Sequence, residues 1–366
     1  MESMDDLILL HGRLTILVAF GHGGEVEKTH LTDLLGSEVI AERWNKPIVL
    51  DTSKVEALIP SGSDKITCHA SISTDVFIAG VSLLRIEVEI RDRIIVNSIM
   101  DAIHSNRIIV DELDLNSFTN KKIREIRKKL NPEKKISYHP VTNRYVTLKM
   151  RDYLPGLDGK GLKEQYGELI TRFLSGETSI RALHGKEITE KMGTDLSYYD
   201  EDLYLISSEG AFILGCDDYQ EDLRELHELS ISLLLLFQIY DRKIDSEIAN
   251  AFLAIKKLQS SRFYTLSWAS KFEKSLLRVS EIELVILDDI EDLMNPHKIS
   301  PDWYYQSVYL RMLNMLKVWD FEKVVQHKID TLQELYHMAR QFSNERLTIL
   351  LEIAIVALIL WEVLTW

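Results

Sequence analysis

The spacing of hydrophobic residues indicates strands in the first 215 residues. Residues 84–90 alternate apolar and charged side chains, which predicts a strand with one face exposed to water. Residues 14–20 form a short apolar run rich in β-branched residues, and residues 141–150 and 204–214 also contain the β-branched and aromatic residues typical of strands. We expect a strand in each of the first two segments and a strand or hairpin in the third. Residues 31–39 show helical spacing.

In the C-terminal part, apolar residues recur every three or four positions and predict a long helix packed along one side, as in coiled coils. This stripe consists of Val318, Phe321, Val325, Ile329, Leu332, Tyr336, Ala339 and Phe342. All 16 glycines lie between Gly12 and Gly215, and only Pro296 and Pro301 interrupt the remaining residues. Since glycine costs about 1 kcal/mol and proline about 3 kcal/mol inside a helix, the C-terminal half should be almost wholly helical.

These patterns predict an α+β protein with a mixed α/β N-terminal half and an almost all-helical C-terminal half. We expect a mixed α/β domain over residues 1–155 and a linker with a short β segment over 156–215. A helical domain with a coiled-coil-like helix should follow over 216–346, and a membrane anchor over 347–366.

The predicted anchor is apolar on every helical face, and its only charged residues are Glu352 and Glu362. Twenty residues match the hydrocarbon thickness of a bilayer, and Trp361 and Trp366 suit a membrane interface. Basic residues precede the segment and none follow it, which would keep the body of the protein in the cytoplasm. Because a carboxylate near mid-membrane costs about 2 to 3 kcal/mol, a helix buried in an oligomer is the alternative.

Charge is unevenly distributed along the chain. The 43 basic and 57 acidic residues give a net charge of −14, of which residues 1–150 contribute only −1. An acidic chain argues against wrapping nucleic acid with the whole surface. Cys68 and Cys216 are too few for a disulfide framework, and the acidic first residues do not resemble a secretory or mitochondrial presequence. We therefore expect a reduced compartment and a prokaryotic cytoplasmic membrane.

A basic amphipathic helix is predicted within residues 121–135, with Ile123, Ile126 and Leu130 on one face. Its basic residues are Lys121, Lys122, Arg124, Arg127, Lys128 and Lys129, followed by two further lysines. Such a helix can bind RNA phosphates or anionic lipid. A solvated helix packed through its three apolar residues is the simpler explanation.

A second candidate site is the loop Gly21-His22-Gly23-Gly24, which follows a predicted strand and precedes a predicted helix. Backbone amides in such a loop can hold an anionic ligand such as a nucleotide. The spacing fits neither the dinucleotide-binding fingerprint nor the P-loop, so a plain turn is the favoured interpretation.

No motif indicates a catalytic residue, a metal site or a cofactor. The neighbours His227 and Glu228 are possible metal ligands in principle, but solvated helix faces explain such residues more often. An enzyme therefore has no positive support, although catalytic groups assembled only in the fold stay open.

Three segments of the helical half, 239–245, 301–305 and 351–362, occur in an order that resembles the family called "required for meiotic nuclear division". The resemblance covers about residues 203–366. It implies a membrane-tethered, mainly helical protein that forms oligomers without known catalysis. In the mitochondrial branch of that family, the implied role is support of translation.

The second of these segments also has a structural explanation. Pro301 suits the first turn of a helix, and Asp302, Trp303 and Tyr304 follow it directly. We expect these residues to anchor the start of the long helix by packing.

The sequence as a whole predicts a non-enzymatic, tail-anchored membrane protein that forms homo-oligomers. It would scaffold a partner, related to translation or nucleic acid, at the cytoplasmic face of a lipid bilayer. The alternative is a ligand-sensing effector, in which an anionic ligand binds the N-terminal domain and the assembled tails perturb the membrane.

Overall fold

The structure of the protein is a computed structural model in which eight stretches of the chain are described. These are residues 6–23, 47–61, 64–77, 80–131, 141–176, 192–215, 218–260 and 290–365. The predicted helix at 31–39, Gly24 and Trp366 lie outside the described residues.

The described residues form one large mixed sheet of eleven strands. The strands are β1 (Ile8–Gly21), β2 (Ile48–Ser61), β3 (Asp64–Phe77), β4 (Val81–Ile90), β5 (Ile94–Ile95), β6 (Ile109–Val110), β7 (Leu113–Asp114), β8 (Thr142–Leu154), β9 (Thr194–Asp195), β10 (Leu203–Ile206) and β11 (Gly210–Leu214). Their order is β7-β6-β2-β3-β4-β1-β8-β11-β10-β9, and β5 pairs with β1. Neighbouring strands run antiparallel, except that β11 is parallel to β8.

Four predicted β segments are confirmed. The segments at 14–20 and 84–90 lie within β1 and β4, the segment at 141–150 lies within β8 apart from its first residue, and residues 204–214 cover all but the first residue of the β10–β11 hairpin. In the register of β1 and β4, Ile16 lies opposite Ile86 and Leu14 opposite Val88. All four side chains are fully buried, because alternation places them on the same face of the sheet.

Eight helices lie in the described residues: α1 (Val96–His104), α2 (Leu115–Leu130), α3 (Gly159–Ser175), α4 (Gln220–Ser260), α5 (Glu291–Met294), α6 (Pro296–Ile299), α7 (Trp303–Met315) and α8 (Val318–Thr365). Apolar residues of α1, α2 and α3 share one core with the first face of the sheet. Helix α4 contacts the other face through Glu228, which bonds to Arg85 of β4. The described part of the C-terminal region is helical, as the absence of glycine after Gly215 predicts.

The chain divides into two compact units that differ from the predicted domains. One unit contains Met1–Ile239 and Asp289–Trp319, and the other contains Tyr240–Asp288 and Asp320–Trp366. Residues 156–215, which we expected to form a linker, contain α3 and three strands of the main sheet. The first unit therefore extends well past the boundary predicted at residue 155.

The long helix expected to start at residues 301–305 is divided into α7 and α8, since Lys317 between them has a left-handed backbone (φ 55°). Helix α8 has 48 residues, which is about 72 Å of helix. Its apolar stripe is buried as predicted at Val325, Ile329, Leu332 and Tyr336. The segment predicted as a membrane anchor is the last part of α8. Within the described residues, no helix combines the length and the apolar character needed to cross a membrane.

Candidate functional site

A cluster of charged and largely buried side chains connects β3 and β4 with α4. Arg85 donates from Nε to Glu228 Oε1 at 3.1 Å and from Nη2 to Glu228 Oε2 at 2.7 Å. It also bonds to Asp75 Oδ2 at 2.6 Å and to Ser73 Oγ at 3.1 Å. Arg224, one turn before Glu228 on α4, donates to the same carboxylate at 2.8 Å. We call Asp75, Arg85, Arg224 and Glu228 the ion cluster.

Electrostatics explain why the ion cluster is stable as a unit. Burial works against the charge on Arg85, but Glu228 and Asp75 outweigh it, so the pKa of Arg85 lies above its ordinary value. Burial raises the pKa of Glu228, and the two arginines oppose that rise. Removing one partner from such a buried pair costs about 3 to 5 kcal/mol. The ion cluster therefore fixes α4 to the sheet.

His227, the neighbour of Glu228, is only 5% exposed. Burial lowers its pKa to about 4, so its imidazole is neutral at pH 7. The ring of Tyr145 packs edge-to-face against it, with the ring centroids 6.1 Å apart. His227 and Glu228 are thus committed to the fold rather than presented to a metal. In the part of the chain that the structure describes, no group of three His, Cys, Asp or Glu side chains is placed to hold a metal ion.

The Gly21-His22-Gly23-Gly24 loop begins at the end of β1. His22 is 1% exposed, and its Nδ1 lies 2.8 Å from Ser82 Oγ. The carbonyl of Gly21 accepts a hydrogen bond from Arg127 Nε at 2.8 Å. Because this backbone is already bonded within the fold, the geometry favours a turn. A ligand at this loop stays a prediction.

The basic helix corresponds to α2, and its three predicted apolar positions are buried. Arg127 has a structural role, since its guanidinium lies over the Phe20 ring at 5.6 Å in addition to its bond with the strand. Lys122 lies 3.5 Å from Glu125. Basic residues in the last turn of α2 also stabilise the negative end of the helix dipole. The exposed basic residues are Lys121, Arg124, Lys128 and Lys129.

Six aromatic side chains meet around the start of α7. The Tyr198 ring lies edge-to-face against Tyr199, with centroids 4.9 Å apart, and against Tyr304 at 4.7 Å. Tyr219 and Trp303 each contact Tyr304. We call Tyr198, Tyr199, Tyr219, Trp303, Tyr304 and Tyr305 the aromatic patch. Three of these side chains are largely exposed: Tyr198 at 52%, Tyr199 at 56% and Trp303 at 73%.

The start of α7 is anchored by Tyr304 and not by Trp303. Asp302 caps the helix by accepting a hydrogen bond from the Tyr304 amide at 2.7 Å, with Pro301 just before it. The Tyr304 hydroxyl donates to the Leu196 carbonyl at 2.8 Å. Since successive helical residues point about 100° apart, Trp303 faces solvent when Tyr304 faces the fold.

A cavity of about 380 Å³ adjoins the aromatic patch. Its lining includes Lys149 of β8, Asp158 at the N-cap of α3, and Asp202. Asp202 also accepts a hydrogen bond from the Tyr219 hydroxyl at 2.7 Å, which connects the cavity to the patch. The Lys149 ammonium bonds to Gln220, so it is held against α4.

The end of α8 carries an exposed apolar surface. After Tyr336, every side chain that the structure describes is exposed. Five of them fall within about 100° around the helix and are called the distal face: Thr348, Glu352, Ile355, Val356 and Ile359. The two isoleucines and the valine are each 55% exposed, and Trp361 is 71% exposed on another side. The Glu362 side chain lies outside the described ones.

One comparison with known proteins covers the part of the chain that forms most of the sheet. A family model described as "Uncharacterized protein MJ0711, N-terminal domain" matches residues 11–220, more than half of the chain. The chain belongs to this family. The uncharacterized protein MJ0711 of Methanocaldococcus jannaschii is 29% identical over 180 residues, which cover 48% of this chain and 52% of that relative. The chain thus spans about half the length of this relative. No solved structure matches.

The part of the chain that matches the MJ0711 N-terminal domain contains only some of the residues of the sites described above. It runs from β1 to the first residue of α4 and includes Asp75 and Arg85 of the ion cluster. It also includes Tyr198, Tyr199 and Tyr219 of the aromatic patch. The remaining members of both groups lie beyond residue 220, as does the whole distal face.

The sequence analysis did not identify the ion cluster or the aromatic patch. For the ion cluster, no local signal links β3 and β4 with α4, because Arg85 and Glu228 are 143 residues apart. For the aromatic patch a local signal exists: two tyrosines precede three acidic residues at 198–202, and an Asp-Trp-Tyr-Tyr run occurs at 302–305.

Proposed function

We propose that the protein is a non-catalytic scaffold whose copies associate through the distal face of α8. The observation that supports this proposal is the exposure of Ile355, Val356 and Ile359 on one side of a long helix. Apolar side chains that are exposed next to one another indicate a surface that binds a partner. Assembly through α8 would bring several copies of the sheet together for a binding partner.

The change in character along α8 indicates where the partner binds. Glu334, His337 and Gln341 are polar and exposed on the same side of the helix as the distal face, where Met338 is an exposed apolar residue. From Ile355 onward that side is apolar and equally exposed. A helix facing water has no reason to become apolar on its wet side, so the distal part of α8 needs a different environment.

The spacing of the distal face favours a second copy as that environment. Thr348, Glu352, Ile355 and Ile359 are separated by four, three and four residues, the repeat of a coiled-coil seam. A glutamate at a helix pair can extend its carboxylate to water at the edge of the seam. In hydrocarbon the same charge would cost about 2 to 3 kcal/mol.

A bilayer is the second candidate for what covers this helix end. The exposure of Trp361 supports it, because an indole suits the membrane interface. If a bilayer covers this helix end, residues 347–366 would be a transmembrane tail anchor.

Two other interpretations of the sequence stay predictions. They are the resemblance to the meiotic nuclear division family, and RNA or anionic lipid as ligands of α2.

The proposal is tested by changing one residue on the distal face and one off it. Fully burying a valine stabilises by about 1.5 to 3 kcal/mol, and about half of Val356 is exposed, so Val356→Ser should remove about 1 kcal/mol per copy. Two copies lose about 2 kcal/mol, which weakens a dimer about 30-fold. Sedimentation velocity over a concentration series measures this change.

Val324→Ser is the matched control, since Val324 lies on α8 outside the distal face and is 46% exposed. We expect it to associate like the unmodified chain. Equal effects of the two substitutions, or a chain that stays monomeric until lipid vesicles are added, would contradict self-association. The second result would favour the bilayer.

A further inference from the structure

We propose that the aromatic patch binds an arginine-rich segment of a partner protein. This inference does not rest on the proposed function, because the patch and the distal face belong to different units of the chain. It rests on the arrangement of exposed aromatic rings and on the charges that surround them.

The rings of Tyr198 and Tyr199 form an open corner. Their planes are 81° apart and their centroids 4.9 Å apart, while each side chain is about half exposed. The exposed half of each ring is available to a cation, which is attracted to an aromatic face because that face carries partial negative charge. Trp303, the most exposed member of the patch, adds the aromatic type that binds cations best.

Two rings of the patch are fixed by hydrogen bonds. The hydroxyl of Tyr304 donates to the Leu196 carbonyl, and that of Tyr305 donates to Asp222 Oδ2 at 2.7 Å. A binding surface whose side chains are already fixed loses little conformational entropy when a ligand arrives. The exposed rings of Tyr198 and Trp303 pack against the fixed ring of Tyr304, so they form a prepared surface.

Carboxylates surround the aromatic patch. Asp200, Glu201 and Asp202 follow its tyrosine pair directly in the chain, Asp222 contacts Tyr305, and Asp302 caps α7. Two basic residues near the patch are already bonded to Asp195: Lys163 pairs with its carboxylate at 2.8 Å, and Arg311 donates to its backbone carbonyl at 3.4 Å. Lys149 and Arg151 line the adjoining cavity beside Glu201 and Asp202, and the Lys149 ammonium bonds to Gln220.

The combination of rings and carboxylates selects a cationic peptide. The negative rim repels nucleic-acid phosphates, and an uncharged proline-rich segment would gain nothing from it. Between the two basic side chains, arginine fits better, because its planar and weakly hydrated guanidinium stacks on aromatic faces and pairs with carboxylates in a fork.

The test uses three fluorescein-labelled octapeptides in which glycine alternates with arginine, lysine or glutamine. Fluorescence anisotropy with the full chain in 0.15 M salt should show the arginine peptide binding at least threefold more tightly than the lysine peptide. The glutamine peptide should not bind. Equal affinities for the arginine and glutamine peptides would overturn the proposal, and equal affinities for arginine and lysine would overturn the choice of arginine.

Substitutions locate the site. Tyr198→Leu combined with Trp303→Leu should weaken the arginine peptide at least tenfold, and Glu201→Gln should weaken it two- to fourfold with a smaller salt dependence. Phe252→Leu is the control, since Phe252 is an aromatic residue of the other unit and is 56% exposed. If the double variant binds as the control does, the aromatic patch is not the site.

The two replaced aromatic side chains are largely exposed, so the double variant should keep its circular dichroism and its urea midpoint. Val356→Ser should bind the arginine peptide like the unmodified chain. This result separates a failure of the present proposal from a failure of self-association.

Discussion

The burial of His227 predicts a specific loss of stability in acid. Its pKa in the fold is about 4, compared with an ordinary value of 6.5. The folded protein therefore favours the neutral imidazole, whereas the unfolded chain takes up a proton as the pH falls below 6.5. The stability from this group is fully present above pH 6.5 and is lost between pH 6.5 and pH 4.

The size of the loss follows from the two pKa values. Proton linkage at one site gives about 2 kcal/mol at pH 5 and about 3 kcal/mol at pH 4, relative to pH 7. Replacing His227 by Phe removes the titrating group while keeping a ring beside Tyr145, whose edge packs against it. The variant should thus lose less stability on acidification than the unmodified chain.

Urea unfolding at pH 7, 6 and 5 measures this difference. The comparison between the two proteins cancels the other titrating groups, so the free energy of unfolding should differ in its pH dependence by about 2 kcal/mol between pH 7 and pH 5. The exposed His337, changed to Phe, serves as the control and should leave the pH dependence as it is. Parallel pH profiles for the unmodified chain and His227→Phe would refute the neutral, buried state of His227.

Three further predictions concern the charges of the chain. Arg85→Met should lower the free energy of unfolding by about 3 to 5 kcal/mol in urea titrations. The double variant Arg85→Met with Glu228→Gln should lose less than Arg85→Met alone, because fewer unpaired charges remain buried. Glu352→Gln should tighten self-association about fivefold by sedimentation if parallel copies place these carboxylates together, since their repulsion is worth about 1 kcal/mol. If α2 binds RNA, Lys128→Glu with Lys129→Glu should remove the binding and its salt dependence in filter assays.

The strands were predictable because their signal is local. Alternation along β4 identifies its buried face from Ile86 and Val88 alone. The same alternation assigned Arg85 to a wet face, whereas the structure places it beneath α4. Periodicity shows which residues share a face but not which element covers that face, so long-range pairs such as Arg85 and Glu228 need the fold.

The first residues of the predicted linker, 156–161, contain three glycines, and their role could not be predicted from the sequence. Gly159 lies in the first turn of α3, where a Cβ would collide with the carbonyl oxygen of Asp202. Glycine is required there for close backbone approach and not for flexibility. A sequence shows the same residue in both cases, and only the neighbouring chain distinguishes them.

The start of α7 shows how much of a candidate site can be predicted from the sequence. The sequence predicts an aromatic anchor at residues 301–305, and Tyr304 provides it. The pattern does not show that Trp303 remains in solvent beside Tyr198, because that depends on where β9 and β10 place the intervening loop. The aromatic patch could therefore be identified only from the fold, which brings Tyr198 and residues 301–305 together.

The central claim is that the end of α8 joins copies of the chain. Sedimentation equilibrium without lipid, on the whole chain and on a chain ending at Asn344, tests it most directly. We expect a mass that is a multiple of 42.3 kDa for the whole chain and a monomer for the shortened chain. A whole chain that stays at 42.3 kDa across the concentration range would contradict it.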